Sequence, residues 1–222
     1  MIITLISDTH NKHNKLNDDL PGGNLIIDSG DISSMGYEHE IDGFCKWFDK
    51  LNYNHKVFCA GNHDFGFEKD PDKAYEIIQK YKVNYLQDSM LEIDGIKIWG
   101  SPWQPEFCGW AFNLPKNGWQ LAEKWNNIPE DIDILITHGP SFGNLDQVVG
   151  RKENLGCELL TERIKVIKPK IHVFGHIHSG YGYKFDGITH HINASVLNEQ
   201  YVYTNKPLTI DWNKETNEIK FL

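Results

Sequence analysis

Five short apolar runs, Ile2 to Ile6, Leu25 to Ile27, Val57 to Ala60, Ile132 to Ile136 and Ile171 to Phe174, each give way to residues able to hold a metal ion. In chain order these residues are Ser7-Asp8-Thr9-His10, Gly30-Asp31, Gly61-Asn62-His63-Asp64, Thr137-His138-Gly139 and Gly175-His176-Ile177-His178. Continuous runs of this kind suit strands buried on both faces. Between them, helical spacing at Ile41-Phe44-Cys45-Phe48-Leu51, at Tyr75-Ile78 and at Leu159-Leu160-Ile164-Ile167 predicts α/β crossovers. In an open α/β sheet the ligand site lies outside the carboxyl ends of the strands, so loops far apart in sequence converge there.

Other segments predict an antiparallel portion. Asp94-Gly95 separates Leu91-Glu92-Ile93 from Ile96-Lys97-Ile98, Asp186-Gly187 is a second hairpin signal, and the tail, Leu208 to Trp212 then Ile219 to Leu222, is a third. Trp103 to Trp119, rich in aromatics, Pro and Gly, reads as a long ordered loop. At 222 residues the chain is expected to form a single domain, 1–222.

A formal charge of -9 argues against duplex nucleic acid or an anionic membrane as partner. Cations held by the clustered carboxylates would make the potential positive at the site itself, so a small anionic substrate stays compatible with an acidic surface. The four cysteines, Cys45, Cys59, Cys108 and Cys157, show no Cys-x-x-Cys spacing. No apolar stretch approaches the roughly 20 residues a membrane helix needs. Met1 leads straight into Ile2 to Ile6 without a basic leader. The expected location is cytoplasmic; oligomeric state is not readable.

In Asp8-x-His10 and His176-x-His178 an extended backbone would put residues i and i+2 on one side, both facing one ion. Glycines 30, 61, 139 and 175 would allow tight turns that point the next side chain into the cleft. Carboxylate and imidazole without thiolate suit Mn, Fe, Zn or Co, with Mg less natural and Ca disfavoured by imidazole.

The ordered set Asp8-Thr9-His10, Gly30-Asp31, Gly61-Asn62-His63-Asp64, Thr137-His138 and Gly175-His176-Ile177-His178 resembles the calcineurin-like metallophosphoesterase superfamily. The resemblance implies an αββα sandwich, two packed mixed β-sheets flanked by helices, with two divalent metal ions, Mn foremost. One metal would be held by Asp8, His10, Asp31 and His178 and the other by Asp31, Asn62, His138 and His176, with Asp31 bridging. The chain is also similar to the metallophosphoesterase-domain-containing subgroup. The likeness runs through Tyr85-Leu86-Gln87-Asp88-Ser89, Pro102-Trp103, Gly109 to Pro115, His172 to Gly175 and Ile192-Asn193-Ala194-Ser195. Some animal members of that subgroup carry Gly in place of the first His of the last motif, whereas His176 is present here. The subgroup implies phosphodiesterase action on small model diesters and cyclic nucleotides.

Two cations roughly 3.5 to 4 Å apart would generate a bridging hydroxide for in-line attack on phosphorus. His63, adjacent to the ligand Asn62, is the expected general acid, and Asp64 is expected to orient it. Superfamily members that act on phosphoproteins carry arginines beside the Gly-Asp and Gly-Asn-His motifs; here Ile32-Ser33-Ser34 and Cys59-Ala60-Gly61 stand there instead. A diester carries one charge fewer than a monoester and needs less neutralisation, so the expectation is a phosphodiesterase acting on a small diester or nucleotide. Arg151 is the candidate substrate cation, and Trp103, Phe107 and Trp110 are candidates for stacking on a base, against a structural role in pinning the loop to the core, which is the preferred reading for Trp110-Ala111-Phe112. A monoesterase or nuclease of the same superfamily, or a non-catalytic nucleotide- or metal-binding regulator, are the competing readings. His13, His39, His55 and His172 fall outside the motifs and are expected at the surface or in the core.

Overall fold

The computed structural model describes residues 1–222. Two six-stranded sheets form the frame. The first has the order β14-β13-β1-β2-β3-β4, built from β1 (Ile2–Ile6), β2 (Gly23–Asp28), β3 (Tyr53–Phe58), β4 (Asn84–Tyr85), β13 (Leu208–Asn213) and β14 (Glu218–Phe221). The second runs β11-β12-β10-β9-β6-β5, from β5 (Ser89–Ile93), β6 (Ile96–Ser101), β9 (Ile134–Thr137), β10 (Ile171–Phe174), β11 (Gly182–Phe185) and β12 (His190–Asn193). Both are mixed: β1, β2, β3 and β4 pair in parallel, as do β6, β9, β10 and β12, and all three expected hairpins pair antiparallel.

The alternation of side chains along each strand decides the layering. Ile3 and Leu5 of β1, Leu25 and Ile27 of β2, and Val57 of β3 face a core shared with Ile98, Ile134, Ile136, Ile171, Val173 and Ile192 of the second sheet. The intervening Ile26 and Phe58 face the other way, onto Ile41, Phe44 and Phe48 of α1 (Glu38–Asp49) and Ala74, Ile77 and Ile78 of α3 (Pro71–Ile78). Phe67 of the short α2 (Phe65–Lys69) joins them. On the far side, Leu135 of β9 meets Leu121 and Trp125 of α4 (Trp119–Asn126) and Leu160, Ile164 and Ile167 of α5 (Glu158–Ile167). The result is helix, sheet, sheet, helix, as expected.

Local corrections are small. β3 runs from Tyr53 and ends at Phe58, earlier than the apolar run implied, because Cys59 and Ala60 already belong to the site loop. β9 begins at Ile134, two residues inside the run, after Asp133 has capped neighbouring strands by accepting from the Lys97 backbone amide. Within the expected loop from Trp103 to Trp119, β7 (Gln104–Pro105) and β8 (Asn113–Leu114) pair in parallel. No helix is long and apolar enough to cross a membrane.

Candidate metal centre

Strands β1, β2 and β3 of one sheet and β9 and β10 of the other end on the same edge, and their loops lock together through main-chain bonds. Asp8 N donates to Gly30 O at 2.9 Å, His10 N to Asp31 O at 2.9 Å, and Gly175 N to His138 O at 2.9 Å. An isolated parallel bridge from Ser7 to Ser195, just past β12, joins the two sheets here. The side chains do not come together by extended i, i+2 geometry. Asp8, His10, Asp31 and His176 all have left-handed backbone, with φ of 57°, 40°, 56° and 67°. Such non-glycine residues cost strain that surrounding structure must hold, a feature concentrated at functional sites.

Glycine matters in this cluster mainly for room. A Cβ on Gly61 would lie 2.3 Å from Asp31 Oδ1, and one on Gly175 would lie 2.1 Å from Asp8 Oδ2 and from Ser7 Oγ. Those contacts leave no space for any side chain, so both carboxylates sit against bare backbone.

Three sets of side chains bring ligand atoms close enough to share an ion: Asp8, His10 and His178; Asp8, Asp31 and His138; and His10, Asp31 and His63. Asp31 Oδ2 stands 3.6 Å from His10 Nε2 and 3.3 Å from His138 Nε2, while Asp8 Oδ1 lies 3.3 Å from His178 Nε2. Asn62 Oδ1 is 3.0 Å from His138 Nε2. His176 lies beside His138, ring centroids 5.1 Å apart, and its backbone N–H donates to both Asp8 oxygens at 3.1 and 3.0 Å. Its imidazole stands outside the three tight sets.

Backbone carbonyls fix which nitrogen faces inward. A carbonyl oxygen only accepts, so Nδ1 carries the proton in His138, bonded to Ser29 O at 3.0 Å, and in His178, bonded to Asn198 O at 2.9 Å. The Nε2 atoms are thereby turned to the carboxylates, the orienting arrangement common around ligating imidazoles. His63 follows the same rule, with Nδ1 2.8 Å from Ser34 O. Its backbone N–H donates to Asp31 Oδ1 at 2.8 Å.

Electrostatics match a site that binds cations. Burial pushes the Asp8 carboxyl upward, but His178, helped by His138 and His10, overrides it and holds the group well below the usual carboxylate range. Asp31 is likewise lowered, its burial outweighed by His138. Burial disfavours the charged His138 and His178, yet Asp31 and Asp8 respectively lift these imidazoles to about 9. Burial dominates at His10 and His176, leaving them at about 4 and about 3. The His10 Nε2 atom is buried with no hydrogen-bond partner although it faces a carboxylate. A cation between them would satisfy both, and imidazole, carboxylate and carboxamide donors without thiolate fit a borderline divalent ion.

Several expected roles are revised. Asp64 does not orient His63: its buried carboxylate accepts from Ile32 N (3.2 Å), Ser33 N (3.0 Å), Ser33 Oγ (2.5 Å) and Gly61 N (2.7 Å). It therefore splices the Asp31 loop to the Asn62 loop, and Ser34 O takes the orienting role. Trp103 is fixed by its own neighbours rather than exposed to a base: its Nε1 donates to Asp88 at 2.8 Å, Lys124 Nζ lies 4.2 Å over its ring, and Phe112 packs edge-on at 5.4 Å. Trp110 lies over His63, centroids 4.1 Å apart and planes 30° from parallel, so it packs on the expected acid. Arg151 lines an open cleft of about 690 Å³ with Asp146, Gln147 and Ser179, the last following His178 directly. His172, fully buried, links Thr137 Oγ1 at 2.8 Å to His191 at 3.3 Å.

Sequence reasoning assigned no role to three contributors, although Asn193 and Ser195 lie in the Ile192-Asn193-Ala194-Ser195 likeness. Ser195 Oγ donates to Asp8 Oδ2 at 2.7 Å. Asn193 Nδ2 ties down the His176 loop by donating to Ile177 O at 2.8 Å. Tyr201 stands over His10 and His178, centroids 4.8 and 5.4 Å away. None follows an apolar run directly with a ligand-type motif, the signal that exposed the others.

This fold and this ligand cluster define the class of metal-dependent phosphoester hydrolases. The calcineurin-like phosphoesterase family model matches residues 1–180, and the chain belongs to that family. Metallophosphoesterase domain-containing protein 1 of Homo sapiens is 41% identical over 93% of this chain and 69% of its own length. The UPF0046 protein T07D4.2 of Caenorhabditis elegans is 37% identical over 86% of this chain and 55% of its own. Among solved structures, TT1561 of Thermus thermophilus aligns with a TM-score of 0.66 at 13% identity, covering 100% of this chain and 97% of that one. The phosphopantetheinyl hydrolase of Mycobacterium tuberculosis gives 0.62 at 12% identity, covering 99% and 95%. At such identities these two likenesses speak for the fold alone.

Proposed function

We propose that this protein is a phosphodiesterase that hydrolyses small monoanionic diesters, cyclic nucleotides among them, by in-line displacement with His63 as the general acid. The observation that carries the reading is the charge inventory around the metal centre. Apart from the histidines, no cation of the chain is paired with Asp8 or Asp31. The two arginines are engaged or placed elsewhere, Arg163 on the Ile128 carbonyl and Arg151 in the neighbouring cleft. A site without a guanidinium clamp favours a phosphoryl group carrying one charge over one carrying two.

Two divalent ions held by Asp8, His10, Asp31, Asn62, His138, His176 and His178, Mn foremost, would activate water and neutralise the phosphoryl oxygens. The chain's own residues do the rest. His63, its Nδ1 proton engaged by Ser34 O, presents Nε2 to the cleft beside Asp31 and His10. In its protonated form that atom delivers the proton to the departing oxygen as the bond from phosphorus to it breaks and the bond from water oxygen forms. Trp110 holds the ring in place from the side. Arg151, at the mouth of its cleft, would meet a distal phosphate or carboxylate of a larger substrate. The four unpaired cysteines support a cytoplasmic location.

The test is a comparison of an activated aryl diester with the matching monoester, using Mn-loaded protein. Faster diester cleavage is expected, with His63→Ala sharply reducing turnover while metal content is unchanged. A preference for the monoester would refute the diester assignment.

A further inference from the structure

Tyr201 is the one aromatic side chain whose ring approaches three site histidines: His10 at 4.8 Å, His178 at 5.4 Å and His63 at 6.4 Å. It meets the first two edge-on, with interplanar angles of 77° and 76°. The residue is 40% exposed, so it forms a wall of the centre that is open to solvent rather than part of the core. Its hydroxyl has no partner within the protein, while its backbone is fully engaged: Tyr201 N donates to Asn198 O at 2.8 Å, and Tyr201 O accepts from Lys12 Nζ.

The backbone around Tyr201 shows that this placement is imposed. Its φ is 57°, a conformation that costs a bulky L-residue strain. The Asn198 side chain holds the turn by accepting from Gln200 N at 3.0 Å and Val202 N at 2.9 Å. The Asn198 carbonyl also orients His178 at 2.9 Å. One turn therefore sets a ligand imidazole and presents a free phenol beside it. A phenol keeps its proton at neutral pH, so the hydroxyl is available as a hydrogen-bond donor.

We infer that Tyr201 is a substrate-binding residue of this centre, its hydroxyl donating to a non-bridging phosphoryl oxygen and its ring covering the ester group that does not leave. The inference rests on the diester reading above. A neutral donor adds a hydrogen bond without adding positive charge, so it favours a dianion less than an arginine would. A monoester also lacks the organic group that the ring would cover. Tyr201 is thus placed to favour diesters through its ring, while its hydroxyl binds the phosphoryl group without the strong dianion preference of a guanidinium.

The experiment uses full-length Mn-loaded protein and two inert probes that lack any scissile ester. Diphenylphosphinate mimics the monoanionic diester and phenylphosphonate the dianionic monoester, and calorimetry reads their binding. Tyr201→Phe keeps the ring and removes the hydroxyl; Tyr201→Ala removes both. Expected are unchanged Mn content in the Phe variant and about tenfold weaker phosphinate binding, a difference of about 1.4 kcal/mol. The Ala variant should weaken it further and by more than it weakens phenylphosphonate, and its ratio of diester to monoester turnover should fall in parallel. If Tyr201→Phe binds phosphinate as the parent does, or loses Mn, the inference is overturned. If the parent protein turns over no diester yet phosphinate binding still depends on the hydroxyl, the diester reading fails and the binding role of Tyr201 stands.

Discussion

Ser195 Oγ donates a 2.7 Å hydrogen bond to Asp8 Oδ2, reaching across 187 positions of sequence to the first carboxylate of the metal centre. The same carboxylate receives the His176 backbone N–H on both oxygens. Partners of this kind set the direction of a ligand's lone pairs, and removing one commonly costs roughly 10- to 100-fold in metal affinity. Ser195→Ala should therefore weaken Mn binding by about tenfold with little change in thermal stability of the metal-free protein. Metal titration followed by calorimetry checks it; an unchanged affinity would show that the two amide contacts alone fix Asp8.

Metal loading should release protons. In the metal-free protein Asp31 and Asp8 raise His138 and His178 to about 9, so both imidazoles are charged at pH 7.5. Ligation requires the neutral imidazole, so each must give up its proton when an ion binds. His10 and His176, at about 4 and about 3, are already neutral and contribute none. Below pH 9 each fall in pH therefore stabilises the protonated, metal-free form, and affinity drops as pH falls. Calorimetry of Mn binding in buffers of different ionisation enthalpy should report release of about two protons at pH 7.5. Release near zero would mean that the two histidines are neutral before the metal arrives.

Asp64 gives a prediction opposite to that of a residue which merely orients the acid. Its two oxygens accept four bonds, from Ile32 N, Ser33 N, Ser33 Oγ and Gly61 N. Asp64→Asn turns one acceptor into a donor facing donors, leaving a buried group unsatisfied at a cost of about 2 kcal/mol. For a chain of this size that corresponds to roughly 4 to 8 °C in melting temperature. The loss should appear in metal-free protein by calorimetric melting. A variant with full stability but slow turnover would restore Asp64 to the role of orienting His63.

What the sequence discloses and what it hides have the same origin. The strand-end ligands stand out because an apolar run and the polar residues after it are contiguous in the chain. The frame around them was legible for that reason, as were the three hairpins marked by turn residues or alternating tails. Asp64 looked like a partner of its neighbour His63, but its acceptors are matched by main-chain N–H groups 31 and 32 positions away. No side-chain pattern records where an amide will point. Ser195 stood in the Ile192-Asn193-Ala194-Ser195 likeness without a role and Tyr201 was not singled out, since each reaches the centre through a loop that only the Ser7 to Ser195 bridge and the Asn198 turn bring there. The extended i, i+2 geometry expected for Asp8 and His10 failed because backbone contacts to Gly30 O and Asp31 O force both into left-handed conformations.

Trp110 separates two uses of an aromatic side chain at such a site. A tryptophan that stacks on a nucleobase should lose about 1 to 3 kcal/mol of binding when replaced by alanine, seen as a raised KM for nucleotide substrates. The structure instead lays Trp110 over His63 at 4.1 Å, with Phe65 5.8 Å from the same indole. The ring of His63, the proposed general acid, is thereby held between the indole and the edge of His10, 4.6 Å away. Trp110→Ala should consequently lower kcat, by about tenfold, because a freely rotating imidazole samples the geometry for proton transfer less often. KM for a small aryl diester should stay near that of the parent. The effect should also shrink as the leaving group becomes more acidic, since a good leaving group needs less help from a proton. If KM for nucleotides rises while kcat holds, the indole serves the substrate and not the acid.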